Sequence, residues 1–158
     1  MDTANGLGHI LTIAFESHDK TAIKAAWVLD IIARQNHVLF LPHLPTFCKQ
    51  IHQIKNDSAK RPFAKIAAIL SLEARKGTTI VFTPKQEEQL VAIHFDWLTS
   101  NTAIAVKVYS METLYQLGFS NSWVHPALKT ILIQELSSES PAYRAHGKKL
   151  LNNLNTAL

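Results

Sequence analysis

Apolar residues recur along this chain at the three-to-four-residue spacing of helices, and hardly anywhere at the alternate spacing of strands. In "TPKQEEQLVAIHFDWLTS" (83–100), Leu90, Val91, His94, Trp97 and Leu98 make one face, with His94 as the polar exception. Thr83 reads as its cap, Pro84 as its first residue and Gln86 as the partner in a capping box. Further helices are expected over 6–17 ("GLGHILTIAFES"), 41–54 ("LPHLPTFCKQIHQI", Pro42 near its start) and 125–138. Between them stand "AIKAAWVLDII", "AKRPFAKIAAIL", "AVKVYSMETLYQL" and "AYRAHGKKLLNNL". Asp19, Asp57, Asn101 and Ser140 precede these four segments, each able to accept the free N–H groups of a first turn.

The pattern predicts four helical hairpins, 6–36, 40–75, 83–118 and 122–156, in a single all-α domain. "KGTTIVFT" (76–83) is rich in β-branched residues but short and isolated, so it reads as an extended loop. Aligning the second helices on a basic residue puts Lys24, Arg61, Lys107 and Arg144 in register, at spacings of 37, 46 and 37. Three residues on come Trp27, Ala64, Ser110 and Gly147, and four further Ile31, Ala68, Leu114 and Leu151. Trp27 is too large for a position that is otherwise small.

A helix pair about every 40 residues, with an apolar–basic–x–x–small–x–x–x–apolar second helix, resembles HEAT repeats. The resemblance covers nearly the whole chain and implies an armadillo-like α–α superhelix, a right-handed solenoid with a concave face. In such stacks a basic residue of one second helix reaches an acidic residue at a neighbouring turn. The resemblance therefore gives Lys24, Arg61, Lys107 and Arg144 a structural role, facing Asp19, Asp57 and Glu139. "KAAWVLD", "HFDWL" and "AVKVYSMETLY" look like a set of small bacterial HEAT-like proteins, some labelled adenylosuccinate lyase. Lyases of that superfamily are far longer and carry a Ser-Ser-x-Met-Pro-x-Lys loop; "YSMETL" lacks the Pro and Lys, so the label has no support here.

Composition sharpens this picture. With 158 residues, 47% of them apolar, the chain can bury one real core. A lone cysteine, Cys48, forms no internal disulfide, and the N-terminal segment has no basic region like that of a signal peptide, so a cytoplasmic protein is expected. No apolar run reaches the roughly 18 residues of a membrane span. The net charge of +4 lies wholly in the first half, where residues 1–79 hold ten Lys/Arg against six Asp/Glu. That excess suits an acidic protein partner, a nucleic acid or a plain solvated surface.

Signals for catalysis are sparse, and no enzyme is expected. Cys48 and His52 share a helix face, which suits a nucleophile pair or a structural cysteine beside a surface histidine. No two of the eight histidines stand three or four apart, so there is no helix-borne zinc pair, and no glycine-rich phosphate loop points to a cofactor. The candidate partner-binding residues are Trp27, Asp30, Arg34, Lys60, Arg61, Lys65 and Tyr109. Asp30 and Arg34 are spaced to pair, while Trp27 either fills a gap against the first helix or faces the groove as an aromatic anchor. Lys60 and Lys65 lie outside the basic register and stay open to a partner. The leading expectation is a scaffold that binds a protein or peptide in its concave face, as a monomer or weak dimer. The alternative is nucleic-acid binding, because HEAT-like alkyl-base glycosylases line a basic groove with Trp, Asp and Arg.

Overall fold

The computed structural model describes residues 3–137 and 140–156. It is all-helical, with no strand among the described residues. The α-helices are α1 (Thr3–Glu16), α2 (Lys20–Asn36), α3 (Leu44–Gln50), α4 (Asp57–Arg75), α5 (Pro84–Thr99), α6 (Ile104–Leu117), α7 (Val124–Glu135) and α8 (Pro141–Thr156). Helix α1 packs on α2, α5 on α6, and α7 on α8. The even-numbered helices also pack one on the next, α2 on α4, α4 on α6, and α6 on α8.

Local signals account for the starts of α2, α4, α5 and α8. The Asp19 carboxylate accepts the Thr21 N–H at 2.8 Å, and that bond holds its pKa below the usual carboxylate value. At α5 both arms of the capping box form: Gln86 N–H donates to Thr83 Oγ1 at 3.2 Å, and Thr83 N–H to Gln86 Oε1 at 3.0 Å. Ser140 Oγ accepts from the Tyr143 N–H, with Pro141 as the first residue of α8. Two expected caps move. Asn56, not Asp57, caps α4, because Asn56 is the extended residue whose side chain reaches the Ser58 N–H. Asn101 caps nothing: α6 starts three residues later, and Ala103 at its cap position offers no side-chain acceptor.

The expected helix 41–54 is split. A 3-10 segment spans His37–His43, α3 covers seven residues, and a 3-10 turn follows at Ile51–Gln53. Pro45, at the start of α3, has no N–H for the Leu41 carbonyl, so one α-helical ladder cannot run through both prolines. Phe40, Phe47 and Phe63 repair the irregularity from beneath. Phe47 stacks on Phe63 of α4 at 5.8 Å, Phe40 meets Phe47 edge-on at 6.2 Å, and Phe15 of α1 lies 5.1 Å from Phe63. The loop after α4 turns on Gly77, whose φ of +74° a residue with a Cβ rarely adopts. Ile80 and Phe82 of that loop enter the core while Val81 points out.

Helix α8 buries Tyr143, Gly147, Leu150 and Leu154, and α2 buries Ala22, Ala26, Leu29 and Ala33 at the same intervals. Ala26, fully buried, stands in α2 at the interval that Gly147 occupies in α8. A Cβ at Gly147 would sit 2.9 Å from Leu136 Cδ1, the end of a side chain that can shift to make room. Trp27 stands one position beside Ala26, on the exposed side of α2.

Candidate functional site: a cation–aromatic face across α2 and α4

Five of the seven expected site residues meet where α2 packs on α4. Trp27 is 42% exposed, so it does not fill a core gap. The Arg61 guanidinium lies over its ring at 5.9 Å, which ties an exposed aromatic of α2 to a cation of α4. Asp30 sits one turn along α2, with its carboxylate buried. Arg34 reaches one of its oxygens at 3.3 Å and Lys65 the other at 3.9 Å. A buried carboxylate needs such partners because desolvation is costly for a lone charge. Arg34 stays half-exposed and Lys65 about one-third exposed, so both cations still face water. Val28 and Ile31 are exposed on α2 beside Trp27. With about 100° per residue, Trp27, Ile31 and Val28 share an arc of roughly 100°.

Two candidates lie elsewhere. Lys60 was expected to be open to a partner, but it pairs with Asp57 at 3.6 Å and lies 5.9 Å over the ring of buried Trp97, its side chain only 15% exposed. One residue from Arg61 is about a quarter-turn of helix, enough to aim Lys60 at α5 instead of α2. Tyr109 is half-buried against the core on α6 and stands apart from the Trp27 group.

The basic residues do not all serve acidic turns. Arg61 serves Trp27, and Asp57 receives the Thr102 hydroxyl at 2.7 Å, a bond from the turn before α6 to the start of α4. Glu139 lies outside the described residues. Lys107 is buried on α6, Arg144 half-buried on α8, and Lys24 exposed on α2. On the α6–α8 side a carboxylate is bridged to a histidine. Glu112 of α6 accepts from Gln116 Nε2 at 2.9 Å and bonds His146 Nε2 of α8 at 3.0 Å. The His146 contact first, then the Gln116 amide, holds its pKa below the usual value against the opposing effect of burial.

The nucleophile reading of Cys48 fails on burial. The thiol is almost wholly inside, and desolvation pushes its pKa up to about 12, so no thiolate forms near neutrality. His52 is exposed and its Nδ1 pairs with the Lys49 carbonyl at 2.9 Å. Among the described residues no three His, Cys, Asp or Glu side chains gather as metal ligands, and no helix is long and apolar enough to cross a membrane. Compared with known proteins, the chain matches no family model, no curated protein and no solved structure.

Sequence reasoning named the charged and aromatic members of this face but not their pairing, and it did not name exposed Val28 and Ile31 as part of it. The Asp30–Arg34 ion pair was legible as an i, i+4 spacing. The links Trp27–Arg61 and Asp30–Lys65 cross 34 and 35 residues of chain and depend on how α2 sits on α4.

Proposed function

We propose that this protein is a non-catalytic helical-repeat scaffold of four HEAT-like hairpins in one domain. Its even-numbered helices line the concave face of a right-handed superhelix, and that face binds an extended segment of a protein partner. The order in which α2, α4, α6 and α8 pack supports the reading. The observation that carries it is the exposed Trp27 held under Arg61, beside exposed Val28 and Ile31. An aromatic and an arginine held together at a surface, flanked by aliphatics, is the composition of an interface anchor. Arg34, Arg61 and Lys65 ask for an acidic partner; Trp27 and Ile31 ask for an apolar side chain on it. A cytoplasmic setting goes with this reading.

A random peptide library displayed on phage, selected on the protein and counter-selected on Trp27→Ala/Arg61→Glu, tests it. Acidic sequences with an aliphatic or aromatic residue are the expected winners. Truncating Trp27 should weaken their binding by about 2 kcal/mol or more, the range of a central aromatic anchor. Winners that bind the double variant equally well would remove this face from the function.

Nucleic-acid binding is the second reading, favoured by the cations grouped around Trp27. Against it stand Asp30 within that group and Glu112 on α6, which interrupt a basic stripe. Anisotropy of labelled duplex DNA at low and moderate salt separates the two. Binding that weakens by orders of magnitude across that range, and is lost in Arg61→Glu/Lys65→Glu, would replace the peptide reading.

A further inference from the structure

Where α6 ends and α7 begins, against the last turn of α8, lies a cleft of about 630 Å³, within the size range of small-molecule sites. Gly118, Phe119, Pro126 and Leu154 give it apolar walls, and no carboxylate among the described residues lines it. One further wall is the imidazole of His125. Its Cδ2–Nε2 edge lies so close to Gly118 that a Cβ there would stand 1.9 Å from Cδ2. The ring is held in that place: its Nε2 bonds the Tyr115 carbonyl at 2.7 Å, and it stacks on the Tyr115 ring at 5.5 Å.

The chemistry of an occupant follows from two groups left open. A carbonyl only accepts, so the bond to Tyr115 makes Nε2 the donor, and the neutral ring carries its lone pair on Nδ1. Nδ1 lies on the ring edge turned away from Gly118, has no partner among the described residues and is not one of the sealed polar atoms. Lys129 follows one turn later on α7, half-buried, with no carboxylate paired to it among the described residues. Residues four apart share a helix face, with Cβ atoms about 5–6 Å apart, so the two groups can close on one ligand. Thr130 spends its hydroxyl hydrogen on the Pro126 carbonyl at 3.0 Å and has none left for an anion. Lys129 is therefore the group that takes an anion, and Nδ1 the group that takes an N–H or O–H donor. Pro126 and Leu154 take hydrocarbon; Phe119, already edge-on to His125 at 4.8 Å and covered by Arg75, serves only as a wall.

We infer that this cleft binds a small organic acid with a hydrocarbon body and a hydroxyl beside its carboxylate. The carboxylate meets Lys129, the hydroxyl donates to His125 Nδ1, and the hydrocarbon lies along Pro126 and Leu154. This site is distinct from the α2–α4 face and does not depend on that reading.

3-Phenyllactate is a suitable probe, followed by amide chemical shifts of the full chain. Saturable shifts are expected at Gly118, Ser122, Lys129 and Leu154, and none at Trp27 or Arg61. 3-Phenylpropionate, which lacks the hydroxyl, should bind about fivefold more weakly, the loss of one neutral hydrogen bond. 3-Phenylpropane-1,2-diol, which keeps the hydroxyl but lacks the charge, should bind about tenfold more weakly, the loss of a charge-assisted one. Lys129→Gln should remove the advantage of phenyllactate over the diol. His125→Gln keeps an N–H for the Tyr115 carbonyl but deletes the Nδ1 acceptor, so it should erase the preference for phenyllactate over phenylpropionate. If His125→Gln does not fold, the three ligands on the unaltered chain and on Lys129→Gln decide the matter. Absence of saturable shifts with phenyllactate overturns the inference. So does equal binding of the three ligands, indifference to Lys129→Gln, or acetate binding as tightly as phenyllactate, which would mean charge alone.

Discussion

On its α2 side, helix α4 presents charge and an aromatic at the water's edge: Arg61 over Trp27, and Lys65 beside Asp30 with Arg34. On its α6 side the buried polar atoms left without a partner are neutral. Ser71, Ser110, Thr113 and Gln116 each bury a polar atom with no partner, while on the α2 side only the Asp30 Oδ1 is left so, with Lys65 3.9 Å away. The contrast follows from solvation. An ion buried alone costs far more than a hydroxyl, so charges collect where cations can stay half in water. Hydroxyls and amides are tolerated inside at a smaller cost.

The largest expected effect undercuts the α2 side from beneath. Phe63→Ala removes the ring that joins Phe15 and Phe47 and should cost about 3–5 kcal/mol, read from denaturant unfolding. A loss under 1 kcal/mol would mean that the aromatic cluster does not hold α1 and α3 to α4.

Next comes acid, which tests the buried neutral polar groups. His94 lies wholly inside α5, where burial pushes its pKa down to about 4, partly offset by the Leu90 carbonyl. The folded state thus favours the neutral ring. Its contribution is complete above the ordinary value near 6.5 and is lost as pH falls toward 4, by roughly 3 kcal/mol. Glu112 has the same direction but a lower window, since its depressed carboxylate is lost only below the ordinary carboxylate range. Stability measured from pH 7 to 4 should fall in the wild type and stay nearly flat over that span in His94→Leu. A parallel fall in both would assign the acid loss to other groups.

A smaller effect is expected on the charged side. Asp30→Asn removes the anion but leaves Arg34 and Lys65 free to reach water, so about 1–2 kcal/mol should be lost, far less than a sealed pair would cost. The smallest is on the α6 side and has the opposite sign. Thr113→Val keeps the shape and deletes an unpartnered hydroxyl, so the melting point should hold or rise by an amount worth up to about 1 kcal/mol. A clear drop would mean that this hydroxyl has a partner in solution.

Much of the scaffold could be read in advance. The capping box at Thr83, the cap at Asp19, the Ser140–Pro141 start and the loop 76–83 depend on residues within a turn of one another. Which face of α2 turns inward was less legible: Ala22, Ala26, Leu29 and Ala33 are buried, while Lys24, Trp27 and Ile31 are exposed. The split of 41–54 was written in Pro45, whose missing N–H weighs more than the apolar spacing around it.

The sequence by itself determined that this is a helical chain, where α2, α5 and α8 begin, and which residues could carry charge and aromatic contact. Those are near-neighbour properties, set by hydrogen bonds and periodicity along a few residues of chain. Only the tertiary structure decided that Trp27 stays at the surface under Arg61, that Lys60 turns to Trp97 while Lys65 turns to Asp30, and that His125 and Leu154 share a cleft. Each of these joins residues on different helices. Whether they meet depends on how one helix lies against the next, and no local spacing encodes that.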